Sequence, residues 1–255
     1  GIVGTGLNDY YVDNIQIGGT TAGQGNTFEG SEGFENIYLV ATNSSVLGNR
    51  ISSNNGGINV GESDNLAIGD GTSAGRHVIS GNAIPDPLYD ECSDGITLNS
   101  GDGAVSIQGN YIGVAEDGTT PFSNCGHGID VGNSSNVIIG GVVAGEANVI
   151  ANNEKDGVNI SNVQGVGVSI LGNSIYDNGR LGINLVGNGE NSNLGVPTPN
   201  DALDADTGPN DLLNFPEVFP GVVNGANTDV TYKIDVPAGD YRIDFYSNSS
   251  ADPSG

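Results

Sequence analysis

The chain has 255 residues, with six Lys or Arg against 31 Asp or Glu, a formal net charge of −25. That balance excludes the basic footprint needed to hold nucleic acid or an anionic membrane. Apolar residues make up 36%, and no run of them approaches the roughly 20 that span a bilayer, so membrane insertion is not expected.

With 43 Gly and neither Met nor Trp, the composition points to many turns and short strands. Helical periodicity never lasts beyond about two turns, whereas two-residue alternation punctuated by Gly and Asn recurs throughout. The acidity also disfavours a polyuronate or sulfated glycan unless bound cations bridge the two. Ca²⁺ is the natural compensation, because hard cations take carboxylate oxygens; a solvated acidic surface is the alternative. Gly1 cannot be a translation start, so the chain is expected to be a processed or truncated piece.

The first element to repeat is an Asn, or once a His, ahead of an apolar position: Asn26, Asn49, His77, Asn110, Asn148 and Asn173. Behind it comes an apolar–polar–apolar triplet beginning at Ile37, Ile58, Ile96, Ile129, Val158 and Ile183. The triplets close on Leu39, Val60, Leu98, Val131, Ile160 and Leu185, and Tyr38, Asn59, Thr97, Asp130, Asn159 and Asn184 lie between. A strand with one buried and one wet face has this pattern. Units this small cannot each bury an apolar face, so they must stack, as the coils of a parallel β-helix do at about 4.8 Å per rung. A β-sandwich gives no reason for the landmarks to recur in one fixed order. His77 replaces Asn in its column and reads as structural.

The units alternate between two types. "QIGGTTAGQGNTF", "AIGDGTSAGRHVI" and "IIGGVVAGEANVI" are one; "VLGNRI", "VSIQGNYI" and "VSILGNSI" are the other. In this form residues 14–190 resemble the right-handed parallel β-helix repeats of large secreted or surface-attached bacterial proteins. The likeness extends to "DALDADTGPNDLLNFP" (201–216), which looks like the segment following the last coil in such proteins. The resemblance implies an all-β, extracellular or cell-surface chain of about six to seven coils. It implies no single activity, because lyases, glycosidases, adhesins and fibre proteins share the fold.

From Asn landmark to triplet the six coils run 11, 9, 19, 19, 10 and 10 residues. Coils three and four therefore carry insertions at one corner, "PDPLYDECSD" (85–94) and "GVAEDGTTPFSNCGH" (113–127). Cys92 and Cys125 each lie four residues before their triplet, a register compatible with the Cα separation of about 4.4–6.8 Å that a disulfide requires. Such a bridge would suit an oxidising extracellular setting and pin two otherwise mobile loops.

Long loops on a rigid scaffold are where binding and chemistry gather. Two positions before the triplet the column reads Glu35, Gly56, Asp94, His127, Asp156 and Leu181, with Asp130 close by and Tyr89, Asp90, Glu91, Glu116 and Asp117 at the same corner. Asp94 and Asp156 would lie roughly 9–10 Å apart, the upper edge of the spacing in inverting glycosidases. "GHG" (126–128) looks like a short motif of polygalacturonases, but the "NTD", Asp-Asp and "RIK" elements of that family are missing. The column therefore reads either as charge relief or a cation site, or as a glycan-hydrolysing set of Asp94, His127, Asp130 and Asp156. A lyase would want a basic partner that neither Lys155 nor Arg180 has.

Residues 191–215 read as an Asp-rich cap or linker after a helix of 1–190. Asp201, Asp204, Asp206, Asn210 and Asp211 offer oxygens suited to Ca²⁺. Residues 216–255 read as part of a truncated β-sandwich, with a hairpin of residues 228–248 around "PAGD". The primary functional expectation is a non-catalytic adhesin, surface or fibre module. A glycan or other surface proteins are its expected partners, and both ends are expected to allow end-to-end association with copies of itself.

Overall fold

The structure, a computed structural model, describes residues 12–30, 35–83, 93–99, 103–161, 167–187 and 195–246. Three parallel sheets share one winding, so that each strand after the first pairs with the one three elements on, and the first two strands share one partner. The first sheet holds Val12–Asp13 and Gln16–Gly18, then Ala41–Leu47, Asp64–Ile68, Val105–Ile107, Val137–Gly140 and Ser169–Leu171. The second holds Thr27–Glu29, Arg50–Ser52, Val78–Ser80, Tyr111–Ile112, Val149–Ala151 and Ser174–Tyr176. The third holds Glu35–Leu39 and the triplets Gly56–Val60, Ile96–Leu98, Ile129–Val131, Val158–Ile160 and Ile183–Leu185. The expected β-helix is thus present, and the triplet register is the one read from the sequence: Ile37, Ile58, Ile96, Ile129, Val158 and Ile183 are successive partners.

Alternation with period two sends one column of each sheet inward. Ile58, Ile96, Ile129 and Val158 fill the core beside Ile51, Ile79, Ile112 and Ile150 of the second sheet, all at 0–1% exposure. Each such side chain contributes about 1.5–3 kcal/mol relative to exposure. The outer middle column is drier than expected: Asn59, Asn159 and Asn184 are only 6%, 2% and 3% exposed. Side-chain bonds between neighbouring rungs shield them, as where Asn159 Nδ2 donates to Asp130 Oδ1 at 2.6 Å.

Chain reversal at the corners needs left-handed backbone, and Gly or Asn supplies it. Gly69, at φ 76°, shows the constraint, because a Cβ there would sit 2.1 Å from the Gln108 carbonyl oxygen. At this corner the two unit types differ. In alternate coils seven residues (19–25, 70–76, 141–147) loop out between the turning Gly and the Asn landmark; in the others the two residues adjoin.

Beside two of the corners a column of buried side chains hydrogen-bonds the adjacent coil. In the first ladder each amide N–H donates to the side chain one coil on: Asn26 to Asn49 Oδ1, Asn49 to His77 Nδ1, His77 to Asn110 Oδ1, Asn110 to Asn148 Oδ1 and Asn148 to Asn173 Oδ1, all at 2.9–3.1 Å. A second ladder, with no counterpart among the sequence landmarks, runs through Asn54, Asn82, Asn124, Asn153 and Asn178 at the next corner.

After the last coil, Asn side chains again read main chain. Asn210 accepts from Val168 N–H at 3.0 Å and donates to Val168 O at 2.8 Å, docking a single 3-10 turn (Pro209–Leu212) on the end coil. The hairpin differs from expectation. Glu217–Val218 pairs antiparallel with Tyr232–Lys233, and Val222–Asn224 with Asn227–Asp229, about a turn at Gly225. The segment around "PAGD" bends, and Tyr232 meets Phe245 with ring centroids 5.7 Å apart, but residues 241–246 form no strand. A two-residue Gly225-Ala226 turn, with Gly at the first central position, outranked the Pro-Ala-Gly-Asp turn.

Candidate functional site

The corner that gathers the nominated residues lies between the second and third sheets. Coil four's insertion leaves before the ladder residue Asn124, coil three's after Asn82, so the two loops start on opposite sides of one rung. Coil four's loop folds back on the scaffold instead of standing free. Val114 bridges Pro121, Phe122 packs over Gly81, Gly118 over Tyr111, and Glu116 reaches Arg50 at 3.5 Å. Asp117 closes the loop by accepting from the hydroxyl and N–H of Thr120 and the N–H of Thr119, which hold its carboxyl at about 2. Tyr89, Asp90, Glu91 and Cys92 lie outside the described residues.

Asp94, His127 and Asp156 do stand on successive rungs, and they form a third ladder. Asp94 Oδ1 accepts from His127 N–H at 2.7 Å, His127 Nδ1 lies 3.2 Å from Asp156 N, and Asp156 Oδ1 accepts from Leu181 N–H at 2.9 Å. Its polarity is the reverse of the Asn ladders, since each side chain here accepts from the coil that follows. Asp156 is fully buried and its second oxygen accepts from Asn184 Nδ2 at 3.1 Å. Burial pushes its carboxyl up; the bonds from His127, Asn184 and Leu181 overrule that and hold it below the usual range. His127 Nδ1 is equally 3.2 Å from Asp156 Oδ2, a contact that needs a proton on Nδ1, whereas the amide contact needs a lone pair.

Asp130 differs from its neighbours. It sits half-buried in the middle of its triplet, and Asn159 Nδ2 is its hydrogen-bond donor. Burial raises its carboxyl to about 6, the Asp94 carboxylate adds to this, and Asn159, His127 and Lys155 oppose. Asp94 is engaged on both oxygens, the second by Thr97 Oγ1 at 3.2 Å. The raised carboxyl leaves Asp130 poised to exchange a proton near neutrality.

The expected Cys92–Cys125 bridge is not a feature of the described structure, because Cys92 falls outside it. Cys125 is 9% exposed, with Sγ 3.8 Å from Ser93 O. The flanking register, Ile96 with Ile129 and Gly95 N–H donating to His127 O, continues the offset that would bring residues 92 and 125 together. Thiol titration of the unfolded, unreduced chain is therefore expected to find no reactive thiol, and two after reduction. Two thiols before reduction would refute the pairing.

At the capping segment, carboxylate oxygens of Asp201, Asp204 and Asp206 all lie within 4.8 Å of one another. Two oxygens on one Ca²⁺, each at about 2.3–2.6 Å, span a similar distance, so the three fit a hard cation. Asn210, by contrast, is engaged by Val168, and Asp211 is not one of the gathered carboxylates. The triad is braced by main-chain amides: Asp201 accepts from Ala205 N–H at 2.9 Å, and Asp204 from Asn214 N–H at 2.6 Å.

No family model matches the chain, and no curated protein or solved structure matches it either.

Proposed function

We propose that this chain is a non-catalytic extracellular or cell-surface β-helix module, a rigid adhesin, surface or fibre component stabilised by Ca²⁺ at Asp201, Asp204 and Asp206. One observation carries this reading: the side chains best suited to chemistry, Asp94, His127 and Asp156, are rungs that hold one coil to the next. Groups committed in this way stiffen a rod and are not available to a substrate. Among the described residues the last strands of the three sheets, Ser169–Leu171, Ser174–Tyr176 and Ile183–Leu185, each have one strand partner, and end-to-end association would add a second beside the docked Pro209–Leu212 turn.

A glycan-active enzyme is the second reading, favoured by Asp130, whose raised carboxyl is of the kind that serves as a general acid. One set of measurements separates the two. Reducing-end release from neutral and acidic glycans, with and without Ca²⁺, is expected to be nil, and turnover abolished by Asp130→Asn would establish the enzyme. In the same samples Ca²⁺ should raise the melting temperature, by an amount corresponding to about 2.7 kcal/mol at a hundredfold excess over Kd, and Asp206→Asn should remove the gain. An equal gain in the variant would locate the ion elsewhere. Scattering at high concentration with only monomers would exclude the polymer.

A further inference from the structure

We propose that His77 makes the third coil an acid-sensitive joint in the solenoid. It occupies an Asn position in the first ladder at 0% exposure. Asn110, Asn148 and Asn173 in that ladder each accept from the preceding coil's N–H and donate Nδ2–H to a first-sheet carbonyl, those of Ile68, Ile107 and Ile139. His77 reproduces both bonds with different atoms. Its Nδ1 accepts from Asn49 N–H at 3.0 Å, and its Nε2 donates to Val46 O at 2.6 Å, in the register of Ile68. Only the neutral ring with its proton on Nε2 can do both.

An amide keeps this arrangement at every pH, whereas an imidazole does not. A second proton on Nδ1 would face the Asn49 N–H, donor against donor, and place a cation in a dry column. The Asn49 carbonyl, 3.3 Å from Nδ1, already accepts from Val78 N–H at 3.2 Å. Charged groups on the packed elements give the cation little help. Asp70, on the loop of the same coil, favours it but is tied to Thr72. Arg76 lies over Tyr111 of the next coil, and Arg50 of the preceding coil binds Glu29 and Glu116. Burial prevails and holds the ring below its usual range. For a base depressed in the folded state, stability is complete above the unfolded value of 6.5 and is lost as pH falls beneath it.

The test compares the whole chain with His77→Asn between pH 8 and pH 5. It uses chemical unfolding, imidazole NMR of the two histidines, and exchange of the Asn49 and His77 amides corrected for intrinsic pH dependence. The variant should fold, and its unfolding equilibrium constant should improve on wild type by up to about tenfold per pH unit below 6.5. In wild type, His77 should protonate well below 6.5, with the Asn49 amide opening ahead of amides in coils five and six. Parallel stability profiles would overturn the proposal. Should the variant not fold, wild type decides: a ring that titrates near 6.5 with Asn49 still protected would overturn it equally.

Discussion

Asn110→Leu is expected to destabilise the solenoid by about 3–5 kcal/mol, enough to remove a large part of a typical folding free energy. Asn110 is fully buried; its Oδ1 accepts from His77 N–H, and its Nδ2 donates to Ile68 O and Asn148 Oδ1. Leucine matches it in bulk and supplies none of these, leaving the buried His77 N–H without an acceptor, while Ile68 O keeps only Gln108 N–H and Asn148 Oδ1 only the main-chain N–H of residue 110. The orphaned donor costs about 1–3 kcal/mol and each of the two other lost bonds about 0.5–1.5 kcal/mol, more than the added apolar contact returns. Asn110→His is the informative control, because His77 already fills such a rung. It should retain most of the stability at pH 8 and lose it on acidification, as the wild-type rung does. Urea unfolding of both variants at pH 8 measures the difference, and a leucine variant within about 1 kcal/mol of wild type would mean that the ladder is ornamental.

The parts legible in the sequence are those where one residue type recurs under one physical demand. Inward columns must be apolar in every coil, so Ile58, Ile96, Ile129 and Val158 announced the winding and its register. The first Asn ladder was visible because Gly precedes Asn49, Asn110 and Asn173 directly. The second was obscured by geometry: insertions fall before Asn124 and after Asn82, so no constant spacing leads from one member to the next. The doublets Asn54-Asn55 and Asn152-Asn153 were its available signal. Asp94, His127 and Asp156 illustrate a different limit. Carboxylate and imidazole read as chemistry, and nothing in their order says that their lone pairs face amides of the adjacent coil. Glu116 and Asp117 were placed at the right corner, yet their loop lies down on the second sheet, which only tertiary contacts decide. In the C-terminal segment both turns were written in the sequence, and the choice of pairing partner was not.

Asp130→Asn is expected to stabilise the protein at pH 7 by about 2–3 kcal/mol and to change little at pH 4. The carboxyl is raised from 3.8 to about 6, first by burial and then by the Asp94 carboxylate, and each tenfold change in proton affinity corresponds to about 1.4 kcal/mol. The sign follows from proton linkage. A carboxyl that holds its proton more tightly in the folded state adds stability below the unfolded value of 3.8, and that contribution is lost as pH rises through about 6. Asparagine cannot ionise, and its Oδ1 can go on accepting from Asn159 Nδ2, as Asn59 Oδ1 already does from Asn99 on the same face. Relief of the overall acidity must be separated from this local effect. Glu154→Gln, an exposed carboxylate one coil on, removes the same charge without the burial and should shift stability by only a few tenths of a kcal/mol. Unfolding curves at pH 4 and pH 7 for the three proteins decide the matter. If Asp130→Asn gains no more than Glu154→Gln, the Asp130 carboxylate is already compensated at pH 7. If it gains the full amount, the chain carries a charge at this corner that works against its own folding, and that charge is the feature by which a cation or a substrate hydroxyl would be recognised there.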